Sequence, residues 1–132
     1  MDILCSVVVP MYNEEAVLAE TYRRLTEVME KSGYSYEIVF VNDGSRDKTA
    51  EMLGEICDHD ERVKLLDFSR NFGHQIAITA GMDHSSGRCV VVIDGDLQDP
   101  PEVILQMIDK WKEGYEVVYG KRISRKGESA FK

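Results

Sequence analysis

Two apolar patterns alternate along this chain. Leu4 to Val9 is a run of apolar and β-branched residues, which predicts a strand that Pro10 closes. Leu18, Tyr22, Leu25 and Met29 then recur at i, i+4, i+7 and i+11, one stripe of a helix, and Gly33 stops it. Glu37 to Val41 reads as a second strand, after which Asp47 or Ser45 can cap a helix reaching about Cys57. Val63 to Phe68 reads as a third strand and His74 to His84 as a third helix, ending before Gly87. Cys89 to Ile93 is a continuous apolar run, of the kind buried on both faces of a parallel sheet. Pro100 and Pro101 open a helix carrying Val103, Ile104, Met107, Ile108 and Trp111, since a proline there sacrifices an N–H that has no partner. Glu116 to Tyr119 reads as a fifth strand, and after Gly120 the pattern fades.

This alternation implies an α/β fold: a mostly parallel sheet flanked by helices, with right-handed crossovers. In open sheets of that kind ligands sit beyond the carboxyl ends of the strands. The chain has 132 residues, the length of one domain. The pattern divides it into a unit over 1–122 and a basic tail over 123–132, expected to be mobile.

Composition narrows the class. At 43% apolar and 30% charged residues the chain suits a soluble globular domain, not a disordered one. No apolar run approaches the ~20 residues of a membrane helix. The first residues carry no basic segment of a secretory signal. Cys5, Cys57 and Cys89 have neither CxxC nor metal-ligand spacing, and an odd count suggests reduced thiols in a cytoplasmic setting. The net charge of -8 is uneven: residues 1–109 hold 9 Lys/Arg against 21 Asp/Glu, and residues 110–132 hold 7 against 3. So acidic a body argues against nucleic acid as a partner, while the tail can meet phosphates or anionic lipid, or simply be solvated.

The segments that follow the strands carry the chemistry. Asp94 and Asp96, at the exit of the fourth strand, can reach one hard cation, and Gly95 between them lets the backbone approach a ligand. Few oxygen ligands suit Mg2+ or Mn2+, which share their shell with substrate phosphates, and Gln98 can add another oxygen. The same two aspartates can equally form a turn and a cap. Asp43, after the second strand, can bind ribose or a base edge, but Asn42-Asp43-Gly44-Ser45 is also a good turn. Tyr12 can stack on a base or cover the sheet edge. His74 is a substrate contact or a helix start, whereas His59 and His84 read as surface residues. Arg70 and Arg122 can grip phosphates or form surface ion pairs.

Taken together, the segments 6–15 (Ser-Val-Val-Val-Pro-Met-Tyr-Asn-Glu-Glu), 41–47 (Val-Asn-Asp-Gly-Ser-Arg-Asp) and 92–101 (Val-Ile-Asp-Gly-Asp-Leu-Gln-Asp-Pro-Pro) resemble the family-2 glycosyltransferases of Rossmann-like GT-A fold. With 68–74 and 114–122 they are most similar to the polyprenyl-phosphate branch, dolichol-phosphate mannose synthases and undecaprenyl-phosphate glucosyltransferases. The resemblance implies that Pro10, Tyr12, Glu14, Val41 and Asp43 hold the nucleoside. It makes Asp94 and Asp96 the catalytic Asp-X-Asp pair that, with Gly95, binds metal and sugar diphosphate. Gln98 matches a further metal or phosphate ligand, and Arg122 a basic residue near the donor phosphates. It further implies a domain continuing past Lys132, with an acceptor-side segment and membrane-associated helices. The chain is therefore expected to be an incomplete GT-A domain, inactive alone, from an enzyme at the cytoplasmic face of a membrane.

The implied reaction moves a hexose from a nucleotide-diphosphate sugar, UDP-glucose by the closer resemblance, to a polyprenyl phosphate with inversion. Rival readings are a family-2 transferase with a saccharide acceptor and a non-catalytic, Mg2+-binding nucleotide or phospho-receiver module. A receiver would carry adjacent acids directly after its first strand, where this chain has Pro10-Met11-Tyr12.

Overall fold

The computed structural model describes residues 2–114. The expected fifth strand at Glu116 to Tyr119, Arg122 and the tail lie outside the described residues. Eight elements alternate: β1 (Cys5–Met11), α1 (Leu18–Ser32), β2 (Tyr36–Asn42), α2 (Thr49–His59), β3 (Val63–Asp67), α3 (His74–Asp83), β4 (Cys89–Val92) and α4 (Val103–Lys112). The strands pair in the order β3-β2-β1-β4, and every pairing is parallel.

Because side chains alternate along a strand, the sheet feeds two cores. Val7, Val9, Met11, Ile38 and Phe40 face one layer, where Leu18, Leu25 and Met29 of α1, Leu53 of α2, and Ile104 and Ile108 of α4 close over them. Val8, Val39 and Val41 face the other way, onto Ala77 of α3. Helix α3 lies close because Gly81 has no side chain: a Cβ there would strike Val8 and come within 3.1 Å of Val41. With both faces covered, every residue of β1 and β2 is buried.

One of the buried residues is charged. Ser6 Oγ and the Ser86 N–H both donate to Glu37 Oε2, each at 2.7 Å, and Lys64 Nζ lies 2.8 Å from Oε1. Burial alone would raise this carboxyl, but Lys64, Ser6 and Ser86 together hold it below the ordinary glutamate value. The cluster ties the start of β1, β2 and β3 to the α3–β4 connection, at the edge opposite the carboxyl ends.

Three details depart from the sequence pattern, and the choice it left open between Asp47 and Ser45 is resolved. Strand β1 runs through Pro10 to Met11, which pairs with Asn42. The Val8 carbonyl accepts the Ile93 N–H at 3.0 Å, so even-numbered positions of β1 point their polar groups at β4. Pro10 has no N–H to give on that side, so its β4 ladder stops there while its β2 ladder continues. Strand β4 is not buried on both faces: Val91 is buried but Val90 is 38% exposed, because among the described residues β4 is the sheet's outer strand. The Asp47 carboxylate accepts the Thr49 N–H at 2.9 Å and so caps α2, whereas Ser45 Oγ accepts the Asn13 N–H. The two prolines form a tight turn ahead of α4, with Val103 N–H bonded to the Pro100 carbonyl.

Candidate functional site

The sheet's carboxyl edge holds a cavity of about 310 Å³ built from all four strand exits. Pro10, Met11, Tyr12 and Glu14 follow β1, Asp43 follows β2, Asn71, Gly73 and His74 follow β3, and Asp94, Gly95 and Asp96 follow β4. Seven of the residues expected from sequence therefore meet here: Pro10, Tyr12, Glu14, Asp43, Asp94, Gly95 and Asp96. Val41 does not, because its side chain is fully buried beneath α3. Gln98 is exposed outside the lining, and its N–H donates to Asp96 Oδ1 at 3.0 Å. Arg122 lies outside the described residues. Arg70 holds its guanidinium 4.2 Å above the Phe72 ring, itself edge-on to Phe68.

The Asp94-Gly95-Asp96 turn leaves the sheet where Pro10 ends the β1–β4 ladder. Gly95 sits on Met11: a Cβ there would collide with the methionine sulfur and lie 3.2 Å from the Pro10 carbonyl. The Gly95 carbonyl accepts the buried Thr21 hydroxyl of α1 at 3.0 Å. Leu97 then takes a left-handed φ of 64°, unusual for a residue with a Cβ. His74, the first residue of α3, brings its Nε2 to 3.4 Å from Asp94 Oδ1.

Asp43 is only 4% exposed and is engaged by the chain itself. Its carboxylate accepts the Phe72 N–H at 2.7 Å and the Gly73 N–H at 3.1 Å, while Asn71 Nδ2 donates to its carbonyl at 3.3 Å. The Arg70-Asn71 backbone presses directly on Gly44, whose φ of 71° is one that residues with a Cβ rarely adopt. Asp43 is thus the latch of the segment after β3. Asn71, Gly73 and Met11 line the cavity without having been singled out. For Asn71 and Gly73 the signal was present, since both lie between the end of β3 and the start of α3.

Electrostatically the lining is one-sided. It holds four carboxylates, one histidine and no lysine or arginine among the described residues. Burial, and then the charges of Asp96, Asp47 and Asp94, push the Glu14 carboxyl up from its ordinary value. Among the described residues no three metal-type side chains gather on one point. Two carboxylates with open space before them nevertheless fit Mg2+ or Mn2+, which take few protein oxygens and complete their shell with water and phosphate.

The family model for glycosyl transferase family 2 matches residues 6–132. The chain belongs to that family. This family 2 chain is 65% identical over 127 residues to the uncharacterized glycosyltransferase YkcC of Bacillus subtilis, covering 96% of the chain and 39% of that protein. It is 44% identical to the bactoprenol glucosyl transferase of Shigella phage SfV, covering 96% and 41%. It is 43% identical to the undecaprenyl-phosphate 4-deoxy-4-formamido-L-arabinose transferase of Pseudomonas paraeruginosa, covering 93% and 37%. The chain thus spans about two fifths of the length of these curated relatives. Among solved structures, the mannosyltransferase PcManGT of Pyrobaculum calidifontis, in complex with GDP-Man and Mn2+, superposes with a TM-score of 0.67 at 23% identity, covering 84% of this chain and 32% of that one. TarS 1–349 of S. aureus with UDP-GlcNAc superposes at 0.63 and 21% identity, covering 84% and 31%. Both support the GT-A fold. No helix among the described residues is long and apolar enough to cross a membrane.

Proposed function

We propose that residues 1–122 are the nucleotide-sugar-binding portion of an enzyme that transfers a hexose from a nucleoside-diphosphate sugar to a polyprenyl phosphate. The observation that carries this is the lining itself. A diphosphate is anionic, and a cavity that among the described residues is lined by Glu14, Asp43, Asp94 and Asp96 and by no Lys or Arg would repel it. Asp94 and Asp96 would hold a divalent cation that offsets this charge, and the chemistry it would supply is Lewis-acid relief of charge on the departing diphosphate. Tyr12 offers an exposed ring for a base to stack on, and Pro10 and Glu14 border the same space.

The acceptor phosphate is already ionised near neutral pH, so its attack on the anomeric carbon needs no strong base. A single direct displacement inverts that carbon. Arg122 would add a charge-assisted contact to the diphosphate, worth roughly 1.5–3 kcal/mol. Support for a polyprenyl-phosphate acceptor comes from the similarity to bactoprenol and undecaprenyl-phosphate transferases. Similarity to the bactoprenol glucosyl transferases favours a glucosyl donor; UDP as its nucleotide and the cytoplasmic face of a membrane as the place of reaction belong to the same proposal.

Calorimetric titration of UDP and GDP in Mn2+ and in EDTA tests this reading. Binding is expected in Mn2+ and about tenfold weaker or more in EDTA, the scale of a lost charge-assisted contact. Asp96→Asn should remove the metal dependence and keep the far-UV spectrum. Equal affinity in Mn2+ and EDTA, for wild type and variant alike, would refute the metal role.

A further inference from the structure

We propose that Thr21, on α1 and outside the cavity lining, is a positioning residue that holds the Asp94–Asp96 turn ready for a divalent cation. The proposal rests on the metal-binding reading above. Thr21 occupies a core position of the α1 stripe and is 2% exposed, between Leu18 and Leu25, both fully buried. A valine would fill that place with the same shape and without a polar atom. A hydroxyl inside a helix ordinarily bonds back to its own turn, as Thr79 does by donating to the Gln75 carbonyl at 3.0 Å. Thr21 instead donates 3.0 Å across to the Gly95 carbonyl, 74 residues away in sequence.

That carbonyl belongs to the peptide plane that also carries the backbone nitrogen of Asp96. Fixing the oxygen fixes the direction in which Asp96 leaves the turn. Gly95 needs this restraint more than another residue would, because glycine's own torsions are permissive. Met11 supports the turn from below and Thr21 holds it from α1, leaving the two flanking carboxylates in the cavity lining. Groups that orient metal ligands in this way commonly contribute about 10–100-fold to metal affinity.

The test compares wild type, Thr21→Val, Thr21→Ser and Thr26→Val. Thr26 lies on the same helix, so its valine variant reports what the same chemical change costs elsewhere on α1. Mn2+ binding is read by the loss of free-ion paramagnetic resonance signal, and UDP binding by calorimetry in Mn2+ and in EDTA. Thr21→Val is expected to weaken Mn2+ binding about tenfold and to shrink the Mn2+-dependent gain in UDP affinity by a similar factor. Affinity for UDP in EDTA should stay as in wild type. Thr21→Ser, which keeps the hydroxyl, should restore Mn2+ binding, and Thr26→Val should leave it unchanged. Unaltered Mn2+ affinity in Thr21→Val overturns the positioning role alone. An equal loss in Thr26→Val also overturns it, by making the effect one of helix stability. A wild-type chain that binds no Mn2+ overturns the metal reading, and this inference with it.

Discussion

Glu14 shows how far a single side chain depends on what its neighbours carry. Its carboxyl is pushed up by burial and by Asp96, Asp47 and Asp94, so the folded protein holds that proton to a higher pH than the unfolded chain does. Between the ordinary value of about 4.3 and the folded value, the native state binds more protons than the unfolded state. Stability therefore falls as pH rises through that window, and the cost persists at pH 7. Glu14→Gln is expected to raise the unfolding midpoint of the metal-free protein at pH 7, with the gain fading as pH drops below 4. Adding Mn2+ should shrink the difference, because a cation relieves the same repulsion. Asp43 teaches the opposite lesson. Its place after β2 left ligand contact and turn equally open, and its bonds to the Phe72 and Gly73 N–H groups show a latch. Those bonds span 29 and 30 residues, a separation that no local motif announces.

At the scale of elements, strand and helix order was legible because periods of two and 3.6 differ clearly and every crossover is short. What escaped was the position of each edge. Pro10 reads as a stop, but a parallel strand has two ladders, and proline ends only the one its nitrogen faces. The apolar run at β4 reads as doubly buried, yet Val90 is exposed because neighbours, not composition, decide burial. The buried Glu37 was read only as the first residue of a strand, since its partners Ser6, Lys64 and Ser86 come from three other segments. That cluster makes a prediction of its own. Lys64→Met leaves a buried carboxylate with two hydrogen bonds and no cation. Because Lys64 is 43% exposed, the loss should be about 1–3 kcal/mol at pH 7, read as a lower urea midpoint. Glu37 has a depressed folded value, so its contribution is complete above the unfolded value and is lost as pH falls through the folded one. The variant and wild type should therefore converge as pH falls below the folded value of Glu37.

The whole molecule adds a consequence of strand order. On the proposed function, nucleotide and Mn2+ would bind where the exits of the four described strands meet, and so would select the folded sheet. Saturation at 100 times Kd is expected to add about 2.7 kcal/mol and raise Tm by roughly 10 °C, checked by thermal melts with UDP in Mn2+ and in EDTA. The site was legible at this scale because a parallel sheet collects its connections at one edge, whatever the details of each loop. The central strand β1 is made first, and β2 can join it within the first 42 residues. Its other neighbour, β4, does not begin until Cys89, and the Asp94–Asp96 turn follows directly. In a chain emerging from the ribosome, three strands can thus stand paired while the pair of acids is still unmade. Acquisition of Mn2+ affinity would mark the arrival of the fourth strand, a timestamp that the first three cannot give.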